Sequence, residues 1–395
     1  MKRIYLDNAS STPVSALAQK AVTETSKKFH GNPSGIHKEG RSARAVLEAA
    51  RASVAESVSA RHDEIVFTSG ATEANNLAIS GVVRACGIAK PRIIVSAIEH
   101  ASVIEIARTF ESAGMQVDYL HVDSRGLIDT KELRKLITRE TALVSIMYAN
   151  NEIGTIEPIA DIAKEIRHAR KMNGSSYPYF HTDAAQAGNY LDINVLRIGV
   201  DLMTLSSAKT YGPRGIGALF VKRGVNLLSQ MYGGEHEGGR RPGTEAVALV
   251  CGFAEALHEA QKMSAKEGKR VQKLRDALAI KIIKKVSSAS VNGSLEHSLP
   301  NILNISFEGV ESEALVLYLD AVGVAVSGKS SCKSYEGGPS HVILAIGKVG
   351  ESGQAGSIRF SLGRGTKSKD ITHVANEVTR LTLFLRESQV QSDAV

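Results

Sequence analysis

The sequence predicts an α/β protein with a large domain built on a mainly parallel, seven-stranded sheet flanked by helices, and a smaller α+β domain. Two observations predict this architecture. Short apolar runs alternate with amphipathic stretches through residues 64–221, and a long helical stretch then leads into a second set of strands and helices. A chain of 395 residues is also long for one hydrophobic core, so two domains are expected.

Seven short apolar runs are typical of β-strands, and the stretches between most of them have helical periodicity. Strand, helix and strand in series predict a mostly parallel sheet with helices on both faces. The last two runs lie close together, which indicates that part of the sheet is antiparallel. The seven runs are EIVFT (64–68), RIIVS (92–96), MQVDYL (115–120), ALVSIMYA (142–149), YPYFHTD (177–183), DLMTLS (201–206) and IGALFV (216–221).

The pattern changes after Thr244, where about forty residues of helical periodicity contain only two glycines. This stretch predicts a long helix that bridges to a second unit. Beyond it follow the segments NILNISF, ESEALVLYLDAV and GSIRFSL, and then a final helix, KDITHVANEVTRLTLFLRES. We therefore expect a large domain over 15–260 and a small domain made of 1–14 and 261–395.

Charge and cysteine content narrow the classes of partner and compartment. The formal net charge is +7, but the basic residues are scattered and no long basic run is interleaved with aromatics, so we expect no nucleic-acid partner. Anionic small molecules or an acidic protein fit this balance better. Three cysteines without paired spacing argue against a disulfide scaffold and for a reducing compartment. With neither a leader-like N-terminus nor a span-length apolar run, we expect a cytoplasmic protein without a membrane partner.

The segment SGATEANNLAI (69–79) places a glycine-containing turn between a predicted strand and a helix that begins near Thr72. Free backbone N–H groups and a helix N-terminus favour an anion there, typically a phosphate, and the hydroxyls of Ser69 and Thr72 add donors. An ordinary helix cap explains the same residues. No Walker sequence follows.

Two further strand ends carry an acid and a lysine. Asp183 lies in HTDAAQ where a strand ends, and Lys209 follows the strand DLMTLS in a turn rich in small residues. A helix cap and a solvated turn lysine are the plain alternatives for each residue alone. Pyridoxal-phosphate enzymes, however, need a lysine for the Schiff base and a carboxylate for the pyridine nitrogen. Together with a phosphate turn at the same sheet edge, the conjunction favours this cofactor.

Two other strand ends carry residues that suit a planar cofactor. His100 in IEHASV is placed to stack on a ring or to exchange protons, and Asn151 in NNEIG can bond a phenolic oxygen. The simpler interpretations are that His100 caps a helix and that Asn151 forms part of a turn. Cys332 lies in the polar segment SGKSSCKSYEGG, which is unusual because cysteine is normally a small buried hydrophobe.

The motifs, in their order, resemble those of group I cysteine desulfurases, the IscS/NifS-like pyridoxal-phosphate enzymes of fold type I and aminotransferase class V. The resemblance runs from Tyr5 to about Arg364, and a Ser/Cys loop about 120 residues after the lysine makes it specific. The motifs are YLDNASSTP, GNPSGIH, TSGATEANNLAI, EHASV, NNEIGTI, HTDAAQ, SSAKTYGPRGIGALFV, RRPGTE, SSCKS and GSIRFSLGR.

The resemblance implies a role for each residue around the cofactor ring. Lys209 would form the Schiff base and later move protons, and Asp183 would pair with the pyridinium nitrogen. His100 would stack on the ring and act in acid–base steps. Asn151 and Gln186 would hold the side of the phenolic oxygen.

The resemblance also implies a phosphate site shared between two subunits. Ala71, Thr72 and Ser206 would bind the phosphate, and Thr244 would reach the phosphate of the neighbouring subunit. A homodimer is therefore expected.

The substrate implied by the resemblance is L-cysteine. Asn32 and Arg359 would hold its carboxylate. A guanidinium group can donate two parallel hydrogen bonds to a carboxylate, which supports this role for Arg359 on physical grounds. Cys332 would be the catalytic nucleophile that takes the sulfur as a persulfide, releasing L-alanine, and passes it to an acceptor such as an iron–sulfur scaffold protein. Cys332 ligating an iron–sulfur cluster with a partner is compatible with this role. Gly328, Gly337 and Gly338 bracket the loop as candidate hinges.

Three departures from the family pattern concern the phosphate site and the loop. Ala208 stands where the family usually has a histidine that contacts the phosphate. The family's Arg-Ser-Gly-Thr run reads RPGT at 241–244, and proline there removes a hydroxyl and a backbone N–H. Lys329 and Lys333 flank the cysteine where small residues are usual, and their ammonium groups would favour its thiolate.

Other functions stay open on the sequence alone. Selenocysteine lyase and other class V pyridoxal-phosphate activities are the nearest alternatives, although a plain aminotransferase has no use for the cysteine loop. A non-catalytic sulfur or iron–sulfur carrier is a third hypothesis. The substitution at Ala208 slightly favours it, whereas the presence of Lys209 and Asp183 argues against it.

Overall fold

The structure is a computed structural model that describes residues 3–328, 340–348 and 356–392. The elements, in chain order, are β1 (Ile4–Tyr5), α1 (Ala16–Lys28), α2 (Lys38–Ser57), β2 (Ile65–Thr68), α3 (Ala71–Ala85), β3 (Arg92–Ser96), α4 (Ala101–Ser112), β4 (Gln116–Leu120), α5 (Thr130–Leu136), β5 (Thr141–Ser145), α6 (Ile159–Asn173), β6 (Tyr179–Asp183), α7 (Val195–Ile198), β7 (Leu202–Ser206), β8 (Gly217–Val221), α8 (Val247–Lys285), β9 (Ala289–Val291), β10 (Ile302–Phe307), α9 (Ser312–Ala321), β11 (Val324–Ala325), α10 (His341–Ala345), β12 (Ser357–Ser361) and α11 (Ser368–Ser392).

The central sheet has seven strands in the order β2-β8-β7-β6-β5-β3-β4. Strand β8 is antiparallel to both of its neighbours, and the other pairs are parallel. The predicted fold class, including its antiparallel part, is therefore confirmed. Five of the strands are buried along their whole length, as strands covered on both faces must be.

Helices cover both faces of this sheet. On one face, side chains of α2, α6 and α8 such as Val54, Ile166 and Phe253 pack in one core cluster. On the other face, side chains of α3 and α4 such as Leu77 and Val103 pack in a second cluster. The alternation of strand and helix along the chain is thus explained by the three-layer packing.

One predicted strand extends four residues beyond the end of the strand observed. The apolar run 142–149 predicts a strand of eight residues, but β5 ends at Ser145. Beyond it the backbone N–H of Ile146 still bonds the carbonyl of His181, 3.1 Å away, and that of Tyr148 bonds the carbonyl of Asp183, 2.9 Å away. The apolar character continues because the chain still lies against β6 after the regular strand has ended.

The C-terminal part of the chain forms a second assembly. Strands β12, β10 and β9 make an antiparallel sheet, and β1 pairs in parallel with β11. These strands share a core cluster with the second half of α8 and with α11, including Leu6, Leu278, Phe360 and Val378. The predicted long helix is confirmed as α8, with 39 residues. The boundary expected at residue 260 falls inside this helix, so the division into two domains stays a prediction.

Among residues 3–328, 340–348 and 356–392, no helix is long and apolar enough to cross a membrane.

Candidate active site

A cavity of about 340 Å³ lies at the edge of the central sheet where β2, β6 and β7 end. Nine of the residues predicted from the sequence line it together: Ala71, Thr72, His100, Asn151, Asp183, Gln186, Ser206, Lys209 and Arg359. They come from six separate segments of the chain. The carboxyl ends of parallel strands meet at one edge of such a sheet, which is why residues so far apart in sequence face one space.

Three predicted residues are not among those that line the cavity. Asn32 is exposed, and its Oδ1 accepts a hydrogen bond of 2.9 Å from the backbone N–H of Ser34. Thr244 is exposed in the loop before α8. Cys332 lies outside the described residues, together with Lys329, Lys333, Gly337 and Gly338. The roles predicted for these residues stay predictions.

The turn after β2 forms one end of the cavity. Helix α3 begins at Ala71, and the first N–H groups of a helix have no partner within it. Gly217 allows the turn to lie close to β8, because a Cβ on Gly217 would stand only 2.8 Å from the Cα of Gly70. The cavity wall at Ala71 and Thr72 therefore offers backbone donors to an anion.

A carboxylate stands beside this anion site and is neutralised by an arginine. Glu73 Oε1 accepts a hydrogen bond of 2.8 Å from Nε of Arg241, and its Oε2 accepts one of 2.7 Å from the N–H of Ser69. Burial opposes ionisation of Glu73, but the bonds from Arg241 and Ser69 outweigh it, so the pKa of this carboxyl is lowered. The loop 235–245 is thereby tied to the start of α3.

Asp183 ends β6 and is buried, with 5% of its surface exposed. Its Oδ2 accepts a hydrogen bond of 2.8 Å from Nδ2 of Asn75, and its Oδ1 accepts one of 2.9 Å from the N–H of Ala185. Both partners donate, so the side chain is held as an acceptor. A carboxylate in this state suits a ligand N–H.

Lys209 ends the short 3-10 helix Ser207–Lys209 that follows β7. Its Nζ donates to the carbonyl of Ser10, and its own carbonyl accepts a hydrogen bond of 2.6 Å from Nδ2 of Asn189. One residue earlier, the carbonyl of Ala208 accepts a hydrogen bond of 3.1 Å from Oγ1 of Thr12. The lysine turn is thus packed against the N-terminal segment.

Arg359 lies on β12 and is 2% exposed. Its Nη1 donates to the carbonyl of Asn151 at 2.9 Å, and its Nη2 donates to Oδ1 of Asp7 at 2.8 Å and to Oγ of Ser10 at 2.6 Å. These contacts join the small C-terminal sheet, the N-terminal segment and the end of the central sheet. They place a guanidinium on the cavity wall with its direction fixed.

His100 is the N-cap of α4. Its Nδ1 lies 2.8 Å from Oγ of Ser102 and 3.1 Å from the backbone N of the same residue. The preceding residue, Glu99, is fully buried, and burial raises the pKa of its carboxyl to about 8. Its Oε1 accepts hydrogen bonds from Oγ of Ser96 at 2.6 Å and from the N–H of Met147 at 2.8 Å.

Both flanks of the segment that contains Cys332 are held at this site. Before it, Ser327 and Arg359 exchange backbone hydrogen bonds of 3.3 and 2.7 Å. After it, Oγ of Ser340 donates to Glu152 at 2.6 Å, and Nε2 of His341 lies 2.9 Å from the carbonyl oxygen of Glu99. Glu152 and Glu99 directly adjoin the cavity-lining Asn151 and His100.

Sequence reasoning missed several residues of this site. Asp7, Ser10 and Thr12 contact its basic residues and the lysine turn, although the motif YLDNASSTP entered only through the resemblance. Asn75 and Ser102 were also missed, although both stand within quoted motifs. No periodicity or spacing marks these residues, because their partners lie on other elements.

The donors and acceptors around the cavity fit a ligand that carries a phosphate, an aromatic N–H and a carbonyl reactive toward an amine. Within residues 3–328, 340–348 and 356–392, no group of three or more His, Cys, Asp or Glu side chains is placed to bind a metal ion.

Comparisons with known proteins agree with the motifs. A family described as aminotransferase class V matches residues 4–374. A cysteine desulfurase IscS of Dictyoglomus turgidum is 41% identical over 98% of this chain and 96% of its own. A solved structure of a NifS-like protein is 31% identical with a TM-score of 0.89, covering 97% of this chain and 100% of its own. Another, described as SspA in complex with cysteine, is 32% identical with a TM-score of 0.77, covering 91% and 98%. The resemblance is thus confirmed, and the chain belongs to the aminotransferase class V family.

Proposed function

We propose that the protein is a pyridoxal-phosphate-dependent cysteine desulfurase that takes sulfur from L-cysteine, releases L-alanine and carries the sulfur as a persulfide on Cys332. One observation carries the proposal: Lys209, Asp183 and the turn before α3 line one cavity, in a chain similar over 98% of its length to a cysteine desulfurase.

The residues present fit pyridoxal phosphate. The N-terminus of α3 and the hydroxyls of Thr72 and Ser206 would hold its phosphate, Asp183 its ring N–H, and Lys209 its carbonyl carbon. Gln186 lines the cavity near the ring site and donates a hydrogen bond of 2.9 Å to the carbonyl of Ala9. When bound, the cofactor supplies an electron sink for carbanion chemistry at the amino acid.

Lys209 would also move protons once it is released from its bond to the cofactor. It suits this role because it lines the cavity, where its Nζ donates to the carbonyl of Ser10. His100 would stack on the cofactor ring.

Arg359 would bind the carboxylate of L-cysteine. The support is its burial, its position on the cavity wall and the three hydrogen bonds that hold it. Guanidinium–carboxylate bonds are among the strongest polar contacts in proteins. Asn32, which the family places at the same carboxylate, would have to approach the cavity from its exposed loop.

Cys332 would receive the sulfur. The thiolate would attack the sulfur of the substrate, so that an S–S bond forms as the Cβ–S bond breaks. Gly328 is four residues earlier and its carbonyl accepts a hydrogen bond of 3.4 Å from Oγ of Ser357. Gly328, where the described part of the chain stops before Cys332, is therefore held to β12, the strand that carries Arg359.

The assembly and the acceptor are part of the same proposal. A homodimer would let Thr244 of each subunit reach the phosphate held by the other, which is consistent with its exposed position in this chain. A protein acceptor, such as an iron–sulfur scaffold, would take the persulfide sulfur in a cytoplasmic setting.

The cofactor part of the proposal is tested by borohydride reduction and peptide mapping. Wild-type protein purified with pyridoxal phosphate should be yellow, and reduction should fix the cofactor on Lys209. Lys209→Ala should carry no fixed cofactor. Lys222→Ala is the matched control, because Lys222 is an exposed lysine near the end of β8, and it should label as wild type does.

The substrate part is tested by alanine release from L-cysteine and from selenocysteine. A preference for L-cysteine supports the proposal, and turnover of selenocysteine alone would replace it with a lyase. A colourless protein that binds no cofactor would instead favour the hypothesis of a non-catalytic sulfur or iron–sulfur carrier.

A further inference from the structure

A chain of hydrogen bonds connects the carboxylate of Asp183 to the ring of His100. Nδ2 of Asn75 donates to Oδ2 of Asp183 at 2.8 Å and to Oγ of Ser102 at 2.8 Å. Oγ of Ser102 in turn lies 2.8 Å from Nδ1 of His100. Asn75 is 0% exposed, so water does not compete for these bonds.

The donors in this chain have fixed directions. Asp183 already accepts from Ala185, so as a carboxylate it needs Asn75 to present its amide nitrogen rather than its oxygen. Both amide hydrogens of Asn75 are then used, one by Asp183 and one by Ser102. Ser102 Oγ thus accepts from Asn75. The backbone N–H of Ser102 donates to Nδ1 of His100 at 3.1 Å, which makes that nitrogen an acceptor, so the hydroxyl hydrogen of Ser102 points to it as well.

Nδ1 of His100 therefore acts as an acceptor. It also accepts from the backbone N–H of Ser102 at 3.1 Å, which is the capping bond of α4. A proton on Nδ1 would face two donor hydrogens and break both bonds. In the neutral ring the proton consequently resides on Nε2.

We propose that Ser102 and Asn75 are positioning residues that hold His100 as a neutral imidazole with its proton on Nε2. In this state His100 stacks and donates a hydrogen bond at the cavity, and it does not accept a proton. The amide of Asn75 cannot relay a proton onward, so proton abstraction from the substrate falls to Lys209. The part played in the reaction rests on the proposed function, whereas the assignment of the ring proton does not.

The tautomer is measured by nitrogen NMR on the purified holoenzyme labelled with ¹⁵N-histidine. The His100 signals are assigned by their loss in His100→Gln. Between pH 6.5 and 8.5 we expect Nδ1 to be unprotonated and Nε2 to be protonated. A proton on Nδ1, or an imidazolium at neutral pH, would overturn the proposal without any need for the variants below. Among the described residues, the charged and titratable groups that line the cavity with His100 are Glu73, Asp183, Lys209 and Arg359. Glu99 precedes His100 in the chain, and its carbonyl oxygen lies 2.9 Å from Nε2 of His341.

Variants of Ser102 separate positioning from a purely structural role. Ser102→Ala should give a mixture of His100 tautomers and lower kcat about tenfold, the effect of one lost hydrogen bond, with KM for L-cysteine changed less than twofold. Ser102→Thr keeps the hydroxyl and should restore the single tautomer and the rate. An unchanged tautomer in Ser102→Ala would contradict the proposal. If wild type released no alanine, the proposed function would fail, while the NMR result would still decide the tautomer.

Discussion

Oδ1 of Asp7 accepts a hydrogen bond of 2.8 Å from Nη2 of Arg359, which lies 352 residues further along the chain. The same carboxylate oxygen accepts a hydrogen bond of 2.8 Å from Oγ of Ser10. The guanidinium is buried and the carboxylate is nearly so, with side-chain exposures of 3% and 19%. The N-terminal segment and β12 therefore meet at the wall of the cavity. The charge of Arg359 is balanced before any substrate binds.

Replacing Asp7 by alanine should destabilise the protein and weaken substrate binding. Removing one partner of a buried ion pair leaves the other charge uncompensated, which costs about 3 kcal/mol of unfolding free energy. Because Arg359 also loses a contact that aims it, KM for L-cysteine should rise roughly tenfold. Asp7→Asn keeps an acceptor oxygen at the same place and should lose less stability. Denaturant unfolding and steady-state kinetics measure both effects, and an Asp7→Ala protein as stable as wild type would contradict the pairing.

Stability should fall with rising pH because of Glu99. Burial raises the pKa of this carboxyl to about 8 from its ordinary 4.5, so the folded state keeps a proton that the unfolded state loses. The unfolding free energy therefore decreases between about pH 4.5 and 8, by up to about 1.4 kcal/mol per pH unit from this group, and levels off above pH 8.

Glu99→Gln cannot ionise and should remove this part of the pH dependence. The difference in unfolding free energy between the variant and wild type should grow up to pH 8. Glu56→Gln, the same substitution at an exposed position of α2, is the matched control. If the curves of Glu99→Gln and wild type ran parallel from pH 5 to 8, Glu99 would be ionised in the folded protein.

A histidine at position 208 should tighten cofactor binding. Ala208 lines the cavity next to Lys209, where the family usually has an imidazole at the phosphate. One added donor to a phosphate contributes about 1 to 2 kcal/mol, so Ala208→His should lower the Kd for pyridoxal phosphate about tenfold. Titration of the cofactor-free protein with pyridoxal phosphate measures this Kd. Ala208→Leu adds bulk without a donor, and a weaker Kd in the histidine variant than in the leucine variant would count against a phosphate at this end.

A methyl group on Gly217 should disturb the turn before α3. Its Cβ would stand 2.8 Å from the Cα of Gly70 and 2.8 Å from the carbonyl oxygen of Leu205, and neither backbone atom can move alone. Gly217→Ala should lose about 1 to 3 kcal/mol of stability and bind the cofactor more weakly. Gly365→Ala, where a Cβ meets no atom within 4 Å, is the control. Wild-type cofactor affinity in Gly217→Ala would show that the turn does not hold the phosphate.

The sheet and most of its site could be predicted because they depend on local signals. Apolar runs of strand length gave all seven strands of the central sheet, and the ends of parallel strands bring Asp183, Lys209 and the turn before α3 to one edge. The predicted strand extended too far at 146–149, where the chain still bonds β6 but the regular strand has ended.

The supporting contacts could not be predicted, because they form between elements distant in sequence. Asn75 and Ser102 are 27 residues apart and meet only when α3 and α4 pack side by side. Asp7 likewise belongs to the site only because the folded chain brings it to Arg359. Their side chains carry no pattern along the chain that distinguishes them from ordinary turn and cap residues.

Transfer of sulfur from L-cysteine to Cys332 is the defining step of the proposed reaction. The most direct measurement is a single turnover of holoenzyme with L-cysteine, in which alanine is quantified and the Cys332 peptide is weighed by mass spectrometry. We expect wild type to release one alanine for each sulfur atom gained by Cys332, and Cys332→Ser to bind L-cysteine but pass no sulfur to an added acceptor. Wild-type rates of alanine release and sulfur transfer in Cys332→Ser would contradict the account.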